Sequence, residues 1–439
     1  MPPHTRREAL ALLGAAATAG CLGGDGPGTA TANTDRRTDG SSPTPSPAGS
    51  PTSYGPTPAA EPWIERITVE SGPATASTAA PSPGADAWPS AKRDLAATAS
   101  APAAAAPNPP LAREVLATTG QESTNTPAVD GDVAVVLTGS PDATLLGLDP
   151  TGGETRWSRT RDDLGHASPA LAGGTAFVPW GYYKRDEHVT AVDAATGADR
   201  WEADVGESPA CDPVVADGTV YAGTDGTAVV TALDAGSGER CFRLTLPTPS
   251  TAVRRVAVVD GRVYAGTLGF ESDVPDVGHV LAFDPASGEA VWARKTDAPV
   301  ADLAVADGTV VVGTADRALA LDAATGRKRW SHDVAGGGVG AVAVDGDGAY
   351  LGTDGTVRAL TAGGDERWRA DAGGSFGLAV AGGTVYAGNS DGLAVVDAAG
   401  TVRWRDGGPM PTGGPVVAGG RAYVGTADGR LLGYAPNGG

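Results

Sequence analysis

A two-residue turn between short apolar runs recurs eight times between residues 130 and 420, and no other feature limits the fold of this chain as tightly. The turns are Asp130-Gly131, Gly173-Gly174, Asp217-Gly218, Asp260-Gly261, Asp307-Gly308, Asp345-Gly346 (or Asp347-Gly348), Gly382-Gly383 and Gly419-Gly420. Asp-Gly and Gly-Gly pairs accept the positive φ of type I′ hairpins. Their spacing, from the mid-thirties to the high forties, is that of a four-stranded antiparallel unit.

The rest of the unit follows in fixed order. A second strand ends in Gly-Thr or similar, as in Val311-Val312-Gly313-Thr314. A third ends in an Asp-centred turn such as Leu321-Asp322-Ala323-Ala324-Thr325-Gly326. Such turns suit Asp and Thr, which bond the local backbone, and Gly, which takes the left-handed site. A fourth strand carries Trp157, Trp201, Trp292, Trp330, Trp368 or Trp404, with Cys241 in the equivalent place of one repeat. A lone sheet has two faces and cannot bury both, whereas sheets stacked around an axis bury each other. The prediction is an all-β chain: an eight-bladed β-propeller of four-stranded blades over residues 88–439, preceded by a disordered linker. The tryptophans are assigned to blade stacking, not to a ligand. Seven units are complete to Trp404. The last, Pro415–Ala435, supplies only three strands, and Leu111–Leu116 is expected to supply the fourth and close the ring.

Upstream, Arg6 and Arg7 precede a short apolar run, Ala11–Gly20, and then Cys21. The run is too short to span a bilayer. Residues 1–21 resemble a twin-arginine lipoprotein signal peptide in which Cys21 receives a diacylglyceryl group. Ala9 and Thr18 depart from the usual aromatic and Leu of such signals. Residues 22–87 are mostly Gly, Pro, Ser, Thr and Ala, too poor in apolar side chains to form a core. They read as a tether with a reach of roughly 45 Å. Their one apolar island, Trp63–Val69, reads best as a local cluster, with a short strand or a docking segment as alternatives. The expected location is the outer face of the cell membrane, held by the lipid.

The chain carries a formal charge of -20 and only four lysines, Lys92, Lys184, Lys295 and Lys328. Spread acidity keeps a protein soluble by self-repulsion, and the composition resembles that of proteins from salt-loving archaea. Nucleic acid is not an expected partner, because phosphate backbones need clustered cations.

The order Val220-Tyr221-Ala222-Gly223-Thr224-Asp225-Gly226, then Ala232-Leu233-Asp234-Ala235, then an outer-strand Trp, resembles the pyrroloquinoline-quinone (PQQ)-like repeat family over residues 88–439. Trp88-Pro89-Ser90-Ala91-Lys92-Arg93-Asp94 is similar to the lead-in of such domains. One branch of that resemblance implies a quinoprotein dehydrogenase using PQQ and calcium. Those enzymes stack the cofactor on a disulfide of adjacent cysteines, and this chain has none. Another implies a noncatalytic scaffold, similar to the lipoprotein propeller of the bacterial outer-membrane assembly machinery.

The residues favour the scaffold. The five histidines show no paired metal spacing, and Asp345-Gly346-Asp347-Gly348 lacks the remaining ligands of a calcium loop. No catalytic residue and no cofactor is expected, with PQQ and calcium as the alternative. Cys211 and Cys241 belong to the innermost and outermost strands of one blade, too far apart to bridge. Two long connections, Trp180–His188 and Leu268–His279, offer aromatic and charged side chains. Trp180, Tyr182, Tyr183, Arg185 and His188 form the candidate binding loop for an unknown protein or glycan.

Overall fold

The computed structural model describes residues 67–72 and 87–437, apart from 95–96, 122, 140–141, 162–164, 166, 182–187, 207–208, 210, 217, 250, 270–276, 286–288 and 336. Arg6, Arg7 and Cys21 lie outside the described residues. Eight antiparallel sheets follow one another, each a meander of four strands taken in chain order except the last. Blade 1 runs from Ala128–Asp130 out to Thr155–Arg161, and blade 7 from Gly377–Ala381 out to Val402–Gly407. Blade 8 takes Val416–Ala418, Arg421–Gly425 and Arg430–Pro436 from the end of the chain and Leu111–Thr118 from before blade 1. Leu432 pairs with Val115 and Tyr434 with Arg113. The expected closing strand is therefore in place, and the ring has eight blades.

Burial follows position in the blade. The second and third strands of blade 1, Val133–Leu137 and Ala143–Leu148, are buried at every residue, being covered by both neighbouring sheets. The outer strand Thr155–Arg161 alternates exposed and half-buried residues. Five inner hairpins have positive φ at both loop residues, as expected for type I′: Gly173-Gly174, Asp260-Gly261, Asp307-Gly308, Gly382-Gly383 and Gly419-Gly420. Two differ from the sequence reading. Asp130 pairs with Val133 and Asp345 with Gly348, so the loops are Gly131-Asp132 and Gly346-Asp347, one residue later than Asp130-Gly131 and Asp345-Gly346. In both, the Asp stays in the ladder and the loop moves past it.

The repeated Trp makes one contact again and again. Trp157 Nε1 donates to the Ala194 carbonyl at 2.9 Å, in the Asp-centred turn of the next blade. Trp201, Trp292, Trp330 and Trp368 donate in the same way to Ala235, Ala323, Ala362 and Ala398, each at 2.9 Å. The turn's glycine lies flat on the indole. A Cβ on Gly197, whose φ is +72°, would stand 2.6 Å from the Trp157 ring. Trp404 instead packs edge-on against Tyr434, ring centroids 5.8 Å apart, because blade 8 ends before such a turn. The turn itself is held by its Asp. Asp193 Oδ1 accepts from the Ala195 and Thr196 amides and the Thr196 hydroxyl, and its other oxygen pairs with Arg200. Arg200 and Thr196 together hold the Asp193 carboxyl down at about 2, and bonds from Thr151 and Gly152 do the same for Asp149.

Three short strands add to this frame. Thr68–Ser71 pairs with the outer strand Arg240–Pro249 of blade 3, and Ile67 and Val69 pack on the blade 3 core. The reading of the apolar island as a local cluster is thus corrected, and the segment 22–87 is not structureless throughout. The physical reason lies in blade 3 itself, where Phe242, and not Cys241 as the spacing suggested, pairs with Ala232 in the register that Trp201 holds with Ala191, so the outer strand lacks the larger indole. Ala87–Trp88 pairs with the innermost strand of blade 1, and Ser100–Ala101 runs parallel to the innermost strand of blade 7. Between them the chain enters the axis from the hairpin end, turns, and leaves the same way. Inner strands at the axis would otherwise keep unpaired N–H groups. Leu171, Val344 and Val380 donate theirs to the carbonyls of Pro89, Thr98 and Ala99. Residues 87–94 and 97–101 form a plug.

Removing the Nε1 donor with Trp157→Phe should cost about 1 kcal/mol, and Trp157→Ala about 3 kcal/mol, read from denaturant unfolding. The turn aspartates make stability acid-sensitive. Their folded pKa lies below the unfolded value, so their contribution is present above about pH 4 and lost as pH falls toward 2. The melting temperature should drop across that window, and less so in Asp193→Asn.

Candidate functional site

The axial plug does not fill the far end of the ring, where the innermost strands begin. A cavity of about 320 Å³ remains there, with Ala91 and Lys92 at the tip of the plug on one side. Every blade contributes the same two positions, five and six residues before its hairpin loop. At the nearer position stand Thr126, Ser168, Asp212, Arg255 and Asp302 in blades 1 to 5. Blades 6 to 8 have Ala341, Gly377 and Gly414. A Cβ on Gly377 would lie 2.2 Å from Gly414 Cα, so blades 7 and 8 meet too closely for side chains. The polar half of the ring faces the crowded half.

Lys92, Asp302, Arg255 and Asp212 form a continuous chain of charges. Asp302 Oδ2 accepts from Lys92 Nζ at 2.6 Å and from the Val342 amide at 2.8 Å. Its Oδ1 accepts from Arg255 Nε and the Leu303 amide, each at 3.0 Å. Arg255 reaches on to Asp212 at 2.9 Å, and Asp212 also accepts the Ser168 amide at 2.6 Å. Lys92 adds a bond to the Val342 carbonyl. The network joins blades 2 to 6 and the plug. Burial opposes charge on Asp302, but Lys92 and Arg255 outweigh it and hold the carboxyl below its usual range. Burial acts against Arg255 too, and Asp302 and Asp212 reverse its sign and raise the guanidinium. Lys92 is lowered, chiefly by burial, with Asp302 offsetting part of it. Cys211 lines the same cavity. Burial pushes its thiol up to about 11, so it stays protonated at neutral pH. Cys241 is also buried, and the two cysteines are free thiols, not a disulfide.

The ring was not singled out in the sequence, yet a signal existed. With the repeats aligned on their hairpins, the position five residues before the loop changes from polar or charged to small around the ring. The loop that was singled out lies elsewhere and differs from expectation. Trp180 and His188 are not on an exposed connection but end the two middle strands of blade 2, paired with each other and buried. Their rings stack at 6.4 Å, Arg161 lies 5.1 Å over the Trp180 ring, and Arg161 bridges His188 (2.6 Å) to Glu202 (2.9 Å). Apolar packing and this cation hold both rings inside. Tyr182, Tyr183 and Arg185 lie outside the described residues. In the second long connection, His279 is likewise a buried strand residue, with its ring lowered to about 4 by burial and by Lys295.

Asp302→Ala would leave two half-buried cations, Lys92 and Arg255, facing each other. It should cost about 3–5 kcal/mol in unfolding free energy. Lys92→Met removes one half-buried cation while Arg255 still faces Asp302, and should cost less by the same measurement.

Comparison with known proteins fits this frame. Over 199 residues the chain is 29% identical to the serine/threonine-protein kinase AfsK of Streptomyces griseus, covering 42% of this chain and 23% of that one. It therefore spans about a quarter of the length of that relative. Among solved structures, BamB from Moraxella catarrhalis superposes with a TM-score of 0.57 at 18% identity, covering 74% of this chain and 98% of that one. A quinohemoprotein alcohol dehydrogenase from Pseudomonas putida HK5 gives 0.61 at 14% identity, covering 81% of each chain. These likenesses show the fold alone. The family description that matches is outer membrane protein assembly factor BamB, over residues 74–267, 276–360 and 353–439. Matched over most of its length, the chain belongs to that PQQ-like repeat family.

Proposed function

We propose that this chain is a noncatalytic binding scaffold for a protein or a surface glycan, held by a lipid on Cys21 at the outer face of the cell membrane. The observation that carries the reading is the pairing inside the axial cavity. Both carboxylates there already accept from cations and backbone amides, so neither is a poised base. The family's description as an assembly factor supports the same reading, as does the signal-like order of Arg6, Arg7 and Cys21.

The alternative, a PQQ-dependent oxidoreductase, fits the residues poorly. Calcium takes six to eight oxygen ligands, several of them carboxylate. Asp212 and Asp302 are committed to Arg255 and Lys92, and no group of three metal-binding side chains gathers among the described residues. Among the described residues the aromatic lining the cavity is Phe376, and Cys211 has no neighbouring cysteine with which to form a platform.

Expression in a salt-loving archaeal host tests both halves. Cys21→Ser should move the protein from the membrane fraction to the medium, and the Arg6→Lys/Arg7→Lys pair should hold it inside the cell. Crosslinking on intact cells should recover a saturable partner. An unchanged membrane fraction in Cys21→Ser overturns the anchor. Dye reduction with alcohols or sugars, on addition of PQQ and calcium, overturns the noncatalytic role.

A further inference from the structure

We propose that the axial cavity is a recognition site for a single carboxylate group, with Arg254 as its primary contact. The proposal rests on the scaffold reading and names the chemistry that the scaffold recognises.

The first observation is a backbone irregularity. In the innermost strand of blade 4, Val253 pairs with Thr267 and Arg255 with Gly266, which leaves Arg254 as an extra residue in a bulge. Blade 5 repeats the device at its cavity end. There Val300 pairs with Thr314 and Asp302 with Gly313, with Ala301 between them. Bulges re-aim side chains and collect beside functional sites. Here each sits at the cavity mouth and sets a charged neighbour, Arg255 or Asp302, into the axis. Blade 4 thereby brings two consecutive arginines to the cavity.

The second observation is charge. Three cations, Lys92, Arg254 and Arg255, line the cavity against two carboxylates, Asp212 and Asp302. Arg93 and Asp94, behind the plug tip, add one charge of each sign. Among the described residues the cavity therefore holds one positive charge in surplus, inside a chain whose net charge is -20. A local reversal of sign focuses the field on an anion and repels cations.

The third observation is where that surplus resides. The oxygens of Asp302 and Asp212 are taken by Lys92, Arg255 and three backbone amides. Arg254 is exposed at the mouth and carries no hydrogen bond or ion pair among the described residues. Its guanidinium fork matches a planar carboxylate in two parallel bonds. One surplus charge is balanced by a monoanion. A phosphate dianion would leave an unbalanced negative charge beside Asp212 and Asp302 at low dielectric. The cavity is at the small end of ligand sites, so it accommodates a side-chain-sized group and not a whole domain surface.

The carboxylate can come from a free small acid or from an acidic side chain or C-terminus of a partner. Calorimetric titration at molar salt, on the full folded chain, separates these. The probes are butyrate, inorganic phosphate, a short peptide with a free C-terminal carboxylate, and the same peptide amidated. Butyrate, the free-acid peptide or both should bind saturably, with the amidated peptide and phosphate at least about tenfold weaker. Arg254→Ala should weaken binding at least about tenfold, and Arg254→Lys should restore part of it, since the charge returns without the fork. Because Arg254 is exposed, both variants should keep the wild-type melting temperature. A peptide that binds more tightly than butyrate assigns the group to a macromolecular partner, and the reverse assigns it to a small acid. Absence of binding by both carboxylates overturns the proposal, as does undiminished binding in Arg254→Ala or preference for phosphate. If the carboxylates fail while crosslinking still recovers a partner, the scaffold reading stands and this site does not.

Discussion

An indole N–H donated across a blade boundary is the contact on which this ring depends. Each sheet could be formed by its own hydrogen bonds, but nothing within a sheet fixes its angle to the next. The Trp on one outer strand supplies that, because its N–H requires the carbonyl in the neighbouring Asp turn and its face requires the turn's glycine. The turn must in turn be rigid, which is why an Asp, a Thr and an Arg close it. Stacking and turn geometry are thus one device, and removing either loosens the other. Where the device is interrupted, the chain compensates. Blade 3 has Phe242 in the register of the Trp, and there an added strand from before the propeller covers the edge.

A ring held at its periphery leaves the centre free to vary. The innermost strands enter the axis at equivalent positions, so any difference among the eight repeats there becomes a difference in direction around the cavity. Five polar positions followed by three small ones give it a charged wall and a backbone wall. The plug adds the ion that a symmetric ring could not supply. Lys92 reaches Asp302 from outside the repeat pattern, and a buried network of this kind is worth more for defining one arrangement than for net stability.

The fold was legible because its causes are local and repeated. The hairpin pairs, the Asp turns, the Trp spacing and the closing segment near Val115 are short-range patterns that eight copies make unmistakable. Two hairpins moved by one residue, since Asp-Gly-Asp and Asp-Gly-Asp-Gly allow more than one two-residue loop and only the ladder decides. The cavity was less legible. Asp302 and Lys92 are 210 residues apart, and neither carries a motif. Trp180 and His188 misled for the opposite reason: aromatic and charged residues near a long connection look exposed, and only the Arg161 bridge shows that they are held inside. Thr68–Ser71 overlaps the apolar island Trp63–Val69, which reads as a local cluster with a short strand only as an alternative, because its partner strand is distant in sequence.

The closure of blade 8 has a consequence for how the molecule comes into being. Val115 and Leu432 are paired across almost the whole repeat region, and the plug must already occupy the axis when blades 6 and 7 reach it. During synthesis Leu111–Thr118 therefore waits, unpaired, until Arg430–Pro436 is made, whereas Ala87–Trp88 meets its partner strand in blade 1 early. Contacts of such sequence separation form slowly, and the waiting strand stays exposed for that interval. The finished ring is a post-synthetic object: no growing chain can complete it in parts.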